Sequence, residues 1–409
     1  MIKRFLTEKV DQLFKEYSAV IITGPRQIGK STLIKKLLKI ENLTKITFDD
    51  TALRTNAQNN SNIFFEAYST PMFIDEVQKA PDIFNSIKIK IDEIEKPSLY
   101  LLTGSQKFKL MKGANESLGG RAAILEMQSL SQAEINGFDN LTIINDYSKM
   151  HDRFLKYSKY KDIKIIERII NGSMPKIING DITDIQKYYE TYIVTTLFKD
   201  IDDDILKIYN ATKFEKFLKV ISNYAGNLIN KESIAREVEI KSATVDVWLN
   251  VLETVGVIFF LQPYHSNNLS KLIKTPKLYF NDTGMLCYLL NITTSIDFLN
   301  YAKCGNLFEN FVVSEINKQF INEGRDEQLY FLRDKNDNDK EIDIIIEKGK
   351  NIYPIEIKMA EVIEQKHFKN YAILKNIKNK TIKPMIVVAN TTLLNKTSDD
   401  TIVYPAWML

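Results

Sequence analysis

Residues 24–31 read Gly-Pro-Arg-Gln-Ile-Gly-Lys-Ser and fit the spacing G-x-x-x-x-G-K-[ST] of a phosphate-binding loop. Gly24 and Gly29 leave a loop of Pro25, Arg26, Gln27 and Ile28 free to turn its backbone N–H groups onto phosphate oxygens. Lys30 brings a positive charge toward the β- and γ-phosphates, Ser31 offers a hydroxyl to Mg²⁺, and Thr32 opens the helix that follows. ATP with Mg²⁺ is the ligand this set predicts. A second group, Pro71-Met-Phe-Ile-Asp-Glu76, is an apolar run closed by two acids. Asp75 suits a metal, commonly through water, and Glu76 suits orientation of an attacking water. Taken alone, the same residues read equally as a strand entering an acidic helix cap.

A third run, Leu99-Tyr-Leu-Leu-Thr-Gly-Ser-Gln106, ends in Thr103, Ser105 and Gln106. Any of the three can hydrogen-bond a γ-phosphate or the attacking water, whereas Gly-Ser is also ordinary turn chemistry. Ser117-Leu-Gly-Gly-Arg121 offers an arginine for charge developing on the transferred phosphate, in its own chain or in a neighbour's, or else a structural ion pair. Asp49-Asp50 reads as a helix cap.

Further along, Glu341-Ile-Asp-Ile-Ile-Ile-Glu347 and Tyr353-Pro-Ile-Glu-Ile-Lys358 read as a hairpin. Alternation places Glu356 and Lys358 on one strand face. Asp343 and Glu356 can then share a divalent cation, the second in the chain, while Lys358 positions or activates a water for phosphodiester attack. Glu309, on a preceding helix, can reach the same ion. Arg333 suits either a phosphate or these acids.

These groups need elements to hold them. Strand patterns at 19–23, 45–48, 72–75, 99–103 and 122–127 alternate with helical ones, which predicts a mostly parallel sheet with its ligands at the C-terminal strand ends. Helical periodicity at 163–170 and 188–198 follows, interrupted by Gly172, Pro175 and Gly180. Helices at 214–225, 230–238 and 241–252 with a strand at 257–261 predict a winged helix-turn-helix. Lys241, Ser242 and Thr244 would lead its third helix into a DNA groove, against the nearby charges of Glu237, Glu239 and Asp246. Asp282 closes a strand, as a functional acid or a turn former.

The chain has 409 residues, 44% hydrophobic and 26% charged, which predicts two to four domains of ordinary globular character. A net charge of +3 supplies no general pull toward nucleic acid or membrane, so a DNA contact must be local. Two cysteines without metal-ligand spacing suit a reducing cytoplasm, and three histidines argue against a histidine zinc site. The first residues lack a signal-peptide core, and no apolar run approaches the roughly 18 residues of a membrane span.

The order G-P-R-Q-I-G-K-S, F-I-D-E-V-Q, L-T-G-S-Q and S-L-G-G-R resembles a bacterial and archaeal AAA+-type ATPase family whose C-terminal domain has no assigned function. Met127-Gln-Ser-Leu-Ser-Gln-Ala-Glu134 resembles that family's usual end of the ATPase core, and Asn171-Gly-Ser-Met-Pro175 one of its loops. That family usually has Pro near Gln128 and Thr at position 31, and neither departure bears on nucleotide binding. The resemblance runs over nearly the whole chain. It implies an α/β fold in four parts: a P-loop core at 1–140, a helical lid at 141–210, a winged helix at 211–300 and a last domain at 301–409. In that last domain Glu309, Asp343, Glu356 and Lys358 resemble the acids and lysine of the PD-(D/E)xK nuclease fold, whose members cut or only bind. The expected partners are ATP, DNA and a second copy of the chain, with no membrane. The expected function is ATP hydrolysis coupled to DNA binding or processing, or a nucleotide-operated switch that recognises a partner without cutting.

Overall fold

The computed structural model describes residues 2–37, 39–105, 110, 113–114, 116–140, 143–144, 146–198, 211–264, 275–325, 327–334, 340–364, 373–374, 377 and 379–409. Among these, two sheets organise the chain. The first has five strands, β1 (Ala19–Thr23), β2 (Thr44–Thr47), β3 (Met72–Asp75), β4 (Tyr100–Gly104) and β5 (Ala122–Glu126), in the order β2-β3-β4-β1-β5. All four pairings are parallel. β1, β3 and β4 are buried along their whole length, as central parallel strands covered on both faces must be. Side chains alternate strictly between two cores. Val20, Ile22, Phe73 and Leu101 join Leu6, Val10 and Phe14 of the helix Leu6–Glu16 on one face. Ala19, Ile21, Ile74 and Leu102 meet Phe64, Phe84 and Ile87 from helices Ser61–Ala67 and Ile83–Ile94 on the other. Thr23, Asp75 and Gly104 therefore end at one edge, β4 lying between β1 and β3.

Beyond a capping box formed by Ser131 and Glu134, helices Tyr147–Tyr157, Ile165–Asn171 and Ile185–Tyr192 follow, the last continued as a π-helix over Ile193–Leu197. Next come helices Ala211–Ser222, Lys231–Val238 and Ser242–Thr254. The second is capped by Asn230, whose side chain accepts from Ser233 N. Strand β8 (Lys277–Phe280) pairs antiparallel with both β7 (Ile258–Pro263) and β6 (Asn227–Leu228).

β7 also runs parallel to β9 (Gln328–Arg333), and this joins the hairpin to the C-terminal strands in one ten-stranded sheet that crosses position 300. β9 pairs with β10 (Glu341–Lys348), β10 with β11 (Asn351–Lys358), and β11 with β12 (Thr381–Ile382) and β13 (Ile386–Ala389); β14 (Asn395–Lys396) and β15 (Ile402–Pro405) complete the edge. The 19-residue helix Cys304–Asn322 packs on β8 and β11 and is buried on nearly every side, polar residues included. Among the described residues, no helix is long and apolar enough to cross a membrane.

Candidate functional site

The phosphate loop takes positive φ at Gly24 (+145°), Gln27 (+62°) and Gly29 (+99°). Gly24 admits no side chain, because a Cβ there would lie 2.1 Å from the Met127 carbonyl oxygen. Lys30 is buried, and its Nζ donates to the carbonyls of Gly24 and Pro25, each at 2.7 Å. Asp75 receives a hydroxyl on each oxygen: Ser31 Oγ donates to Oδ2 at 2.6 Å and Thr103 Oγ1 to Oδ1 at 2.5 Å. A carboxylate flanked by two hydroxyls at the mouth of a glycine loop is a set of hard oxygen donors that fits Mg²⁺. Lys35 Nζ lies 3.8 Å from the same carboxylate.

Glu76 follows at φ +55°. Its Oε2 accepts from Gln78 Nε2 and from Ser105 Oγ, the latter at 3.2 Å. Thr103 and Ser105 thus divide the two acids between them, while Gln106 lies outside the described residues. Gln78, buried at 4% exposure, fits over Gly104, where a Cβ would come within 2.3 Å of its Oε1.

The rim of the loop is held by distant segments. Gln27 Oε1 accepts from Tyr188 Oη at 3.1 Å, and its Nε2 donates to Thr196 Oγ1 at 3.4 Å. Pro25 packs on Gly256, leaving no room there for a Cβ. Ile28 O accepts from Arg4 Nη1 at 2.8 Å. Arg26 is half-buried and Thr32 exposed. Arg121 is not brought to this cluster. It sits at the start of β5, its carbonyl accepting from Ala19 N, and pairs with Asp92 through Nε at 2.5 Å and Nη2 at 3.0 Å. Five residues of β1, roughly 13–16 Å of strand, separate that edge from the loop. Asp50 caps the helix Thr51–Asn59, and Asp49 pairs with Lys79.

A second polar cluster lies in the C-terminal sheet. Asp343 follows Ile342 at a register shift of β10 against β9, and its Oδ2 accepts from Ile357 N at 2.7 Å. Lys358 Nζ donates to Glu356 Oε2 at 3.0 Å and lies 3.9 Å from Asp343 Oδ2. Glu356 is 1% exposed, and its Oε1 has no hydrogen-bond partner among the described residues. Burial first, then the Asp343 charge, pushes the Glu356 carboxyl well above the usual range. From the long helix, Glu309 Oε1 accepts from Lys277 Nζ at 2.8 Å and Tyr279 Oη at 2.6 Å. Burial raises the Glu309 carboxyl too, although Lys277 opposes the shift.

The structure therefore gathers Glu309, Asp343, Glu356 and Lys358, and adds three residues that periodicity did not single out. Lys277 also ion-pairs with Glu341, and Arg333 Nε stands 3.3 Å from Glu341 Oε2. Oxygens of Glu309, Glu341 and Asp343 lie within 4.8 Å of one another, a type and spacing that fit a divalent cation. Lys277 and Tyr279 had one local signal, a lysine heading a fully buried strand.

A buried network connects the two clusters. Glu134 accepts from Arg4 Nε at 3.0 Å and from Asn322 Nδ2 at 3.0 Å. Asn322 Oδ1 accepts from Gln128 N, and Glu315 Oε1 from Gln132 N. Lys318 Nζ donates to Ser173 Oγ at 2.9 Å, and Ser173 N and Oγ donate to Asp282, which also caps the helix Thr283–Leu289. One helix thus carries Glu309 near its start, holds residues 128–134 with Glu315 and Asn322, and holds Ser173 with Lys318.

Residues 16–136 match the family model described as "AAA domain". Residues 162–296 and 304–409 match two families described as domains of unknown function. Uncharacterized proteins of Mycobacterium bovis and Mycobacterium tuberculosis are each 26% identical to the chain over 340 residues, 83% of this chain and 70% of theirs. A solved Walker-type ATPase of Pyrococcus abyssi aligns at 12% identity over 69% of this chain and 94% of its own, with a TM-score of 0.42. The match at 16–136, with the loop geometry, supports an AAA-type P-loop ATPase, a class whose general ligands are ATP and Mg²⁺.

Proposed function

We propose that the chain hydrolyses ATP with Mg²⁺ and uses the nucleotide state to control a C-terminal nuclease-like domain that acts on DNA. The observation that carries the ATPase part is the convergence of Lys30, Ser31, Asp75, Thr103 and Glu76 at one edge of the parallel sheet. In this reading Lys30 leaves the Gly24 and Pro25 carbonyls to hold phosphate oxygens. Ser31 and Asp75 hold Mg²⁺, which when bound offsets the charge of the β- and γ-phosphates. Glu76 orients water, and Gln78 and Ser105 fix the carboxylate that does so. Arg121, placed at the far edge, serves a neighbouring copy, and self-association follows from that assignment.

The DNA part rests on two supports. The succession of helices Ala211–Ser222, Lys231–Val238 and Ser242–Thr254 with the β6–β8 strands supports reading this region as a winged helix, and Lys241 at the third helix's leading end is exposed. Lys231 pairs with Asp246, which removes one opposing charge. In this reading the set of Glu309, Asp343, Glu356 and Lys358 serves as a nuclease-type site and takes a second divalent cation. A second reading, a switch whose last domain recognises a partner without cutting, is favoured by the Lys277 ammonium among these acids.

ATP turnover with and without duplex and single-stranded DNA, run beside a Mg²⁺- or Mn²⁺-dependent nicking assay on wild type and Asp343→Ala, separates them. DNA-stimulated turnover with nicking lost in the variant supports the first reading. ATP-dependent change in oligomer size with no DNA effect supports the second.

A further inference from the structure

Lys277 is 2% exposed, yet it heads the strand Lys277–Phe280 rather than belonging to the later helix and strand whose acids it meets. Its ammonium contacts both Glu309, from the helix, and Glu341, from β10. Those two carboxylates and Asp343 are the three whose oxygens converge within 4.8 Å. Around them stand Arg333, on Glu341, and Lys358, against Asp343 and Glu356. Three cationic side chains therefore face four acids, and the demand for an external ion is already largely met. A second observation marks the cluster as a ligand site all the same. The buried Glu356 leaves Oε1 without a partner among the described residues, with its carboxyl against Asp343.

We propose that Lys277 is a resident cation that keeps a divalent metal out of the Glu309–Glu341–Asp343 cluster in the arrangement seen here. An ammonium and a divalent ion cannot share three converging carboxylate oxygens, because like charges at such separations repel strongly in a buried site. Tyr279 Oη fixes the Glu309 oxygen that Lys277 uses, so the ammonium is held from two sides. The hairpin that carries it starts just after Gly256, which packs on Pro25 of the phosphate loop, and Asn281 Nδ2 ties the far end of β8 to Gly256 O at 3.0 Å. The resident cation is thus mounted on an element that the nucleotide loop touches.

The proposal rests on the reading of this cluster as a metal-binding site. Its test is Mn²⁺ binding to the full chain without nucleotide, followed by electron paramagnetic resonance of the free ion. Wild type and Asp343→Asn should bind the same number of Mn²⁺ ions. Lys277→Met should gain one ion per chain, bound at least about 10-fold more tightly than any wild-type site, and Lys277→Met/Asp343→Asn should lose it again. A site present in wild type and lost in Asp343→Asn would overturn the proposal, and needs no lysine variant to fold. A Lys277→Met protein with wild-type circular dichroism and no added ion would overturn it too. Metal-dependent nicking by wild type in that last case would leave the nuclease reading standing while the resident-cation assignment falls.

Discussion

Arg4 is the residue whose removal the structure prices most sharply. It is 4% exposed, and its guanidinium fork reaches three segments. Nε donates to Glu134 at 3.0 Å, Nη1 to Ile28 O at 2.8 Å and Nη2 to Gln128 O at 2.6 Å. Arg4→Met keeps the aliphatic volume and deletes these bonds together with a longer one, 3.4 Å, from Nη2 to Ser129 O, a carbonyl that keeps Asn322 Nδ2 as a donor. Glu134, itself 4% exposed, then keeps its charge without a cationic partner, although Phe5 N, Ser131 N and Asn322 Nδ2 still donate to it. Breaking a buried ion pair from one side costs about 3–5 kcal/mol. The remaining donors place this case near the lower end, and the two orphaned carbonyls add about 1 kcal/mol each. A loss of about 4–5 kcal/mol lowers the melting temperature by roughly 5 °C when the whole chain melts as one unit. Arg4→Lys should recover only a minor part, since a point charge cannot serve three acceptors in a plane. Lys3→Met is the control: the Lys3–Glu8 pair is exposed at both ends, so it should move stability by under about 1 kcal/mol. Melts must be recorded without nucleotide, which would stabilise the folded state by mass action. An Arg4→Met protein that melts within about 2 °C of wild type would refute the reasoning.

Three further outcomes are expected. Gly104→Ala pushes its Cβ into the Gln78 amide, so Gly104→Ala and Gln78→Ala should each lower kcat for ATP about 10-fold or more with KM little changed, and the double variant should be no worse than either; additive losses would separate the two residues. Hydrogen bonding to Arg325 holds the Glu327 carboxyl at about 2 against an ordinary 4.5. Its stabilisation is therefore full above pH 4.5 and lost as pH falls through 2, so the melting gap between wild type and Glu327→Gln should close across that window. Burial pushes the Cys287 thiol up while Cys304 is half-buried, so a maleimide under native conditions should label Cys304 first by peptide mass mapping.

What was legible in the sequence was whatever depends on neighbours in sequence. The glycine loop, the Asp75-Glu76 strand end and the hydroxyls at 103 and 105 announce themselves because a strand delivers its last residues to the sheet edge without help. The strands of the parallel sheet lie within one residue of their expected bounds: 45–48 became Thr44–Thr47 and 99–103 became Tyr100–Gly104. Contacts across the chain were not legible. Arg4 reads as one more charge before an amphipathic helix, and its partner Glu134 is 130 positions away. Gln78 holds Glu76 only because a helical turn folds it back over Gly104. Ser173, which had no assigned chemistry, joins three segments through three hydroxyl contacts and one amide. The parallel pairing of β7 with β9 joins two regions whose local patterns give no sign of a shared sheet. Lys277 was hidden for the same reason, since alternation assigns a face and not the acid that a separate helix brings to it.

Calorimetric titration of ATP with Mg²⁺ into wild type and Lys30→Ala tests the central claim most directly. Wild type should take up one nucleotide per chain, and the variant, with unchanged circular dichroism and melting, should show no measurable heat of binding. Equal uptake by both proteins, or none by a well-folded wild type, would contradict the assignment of the loop as the nucleotide site.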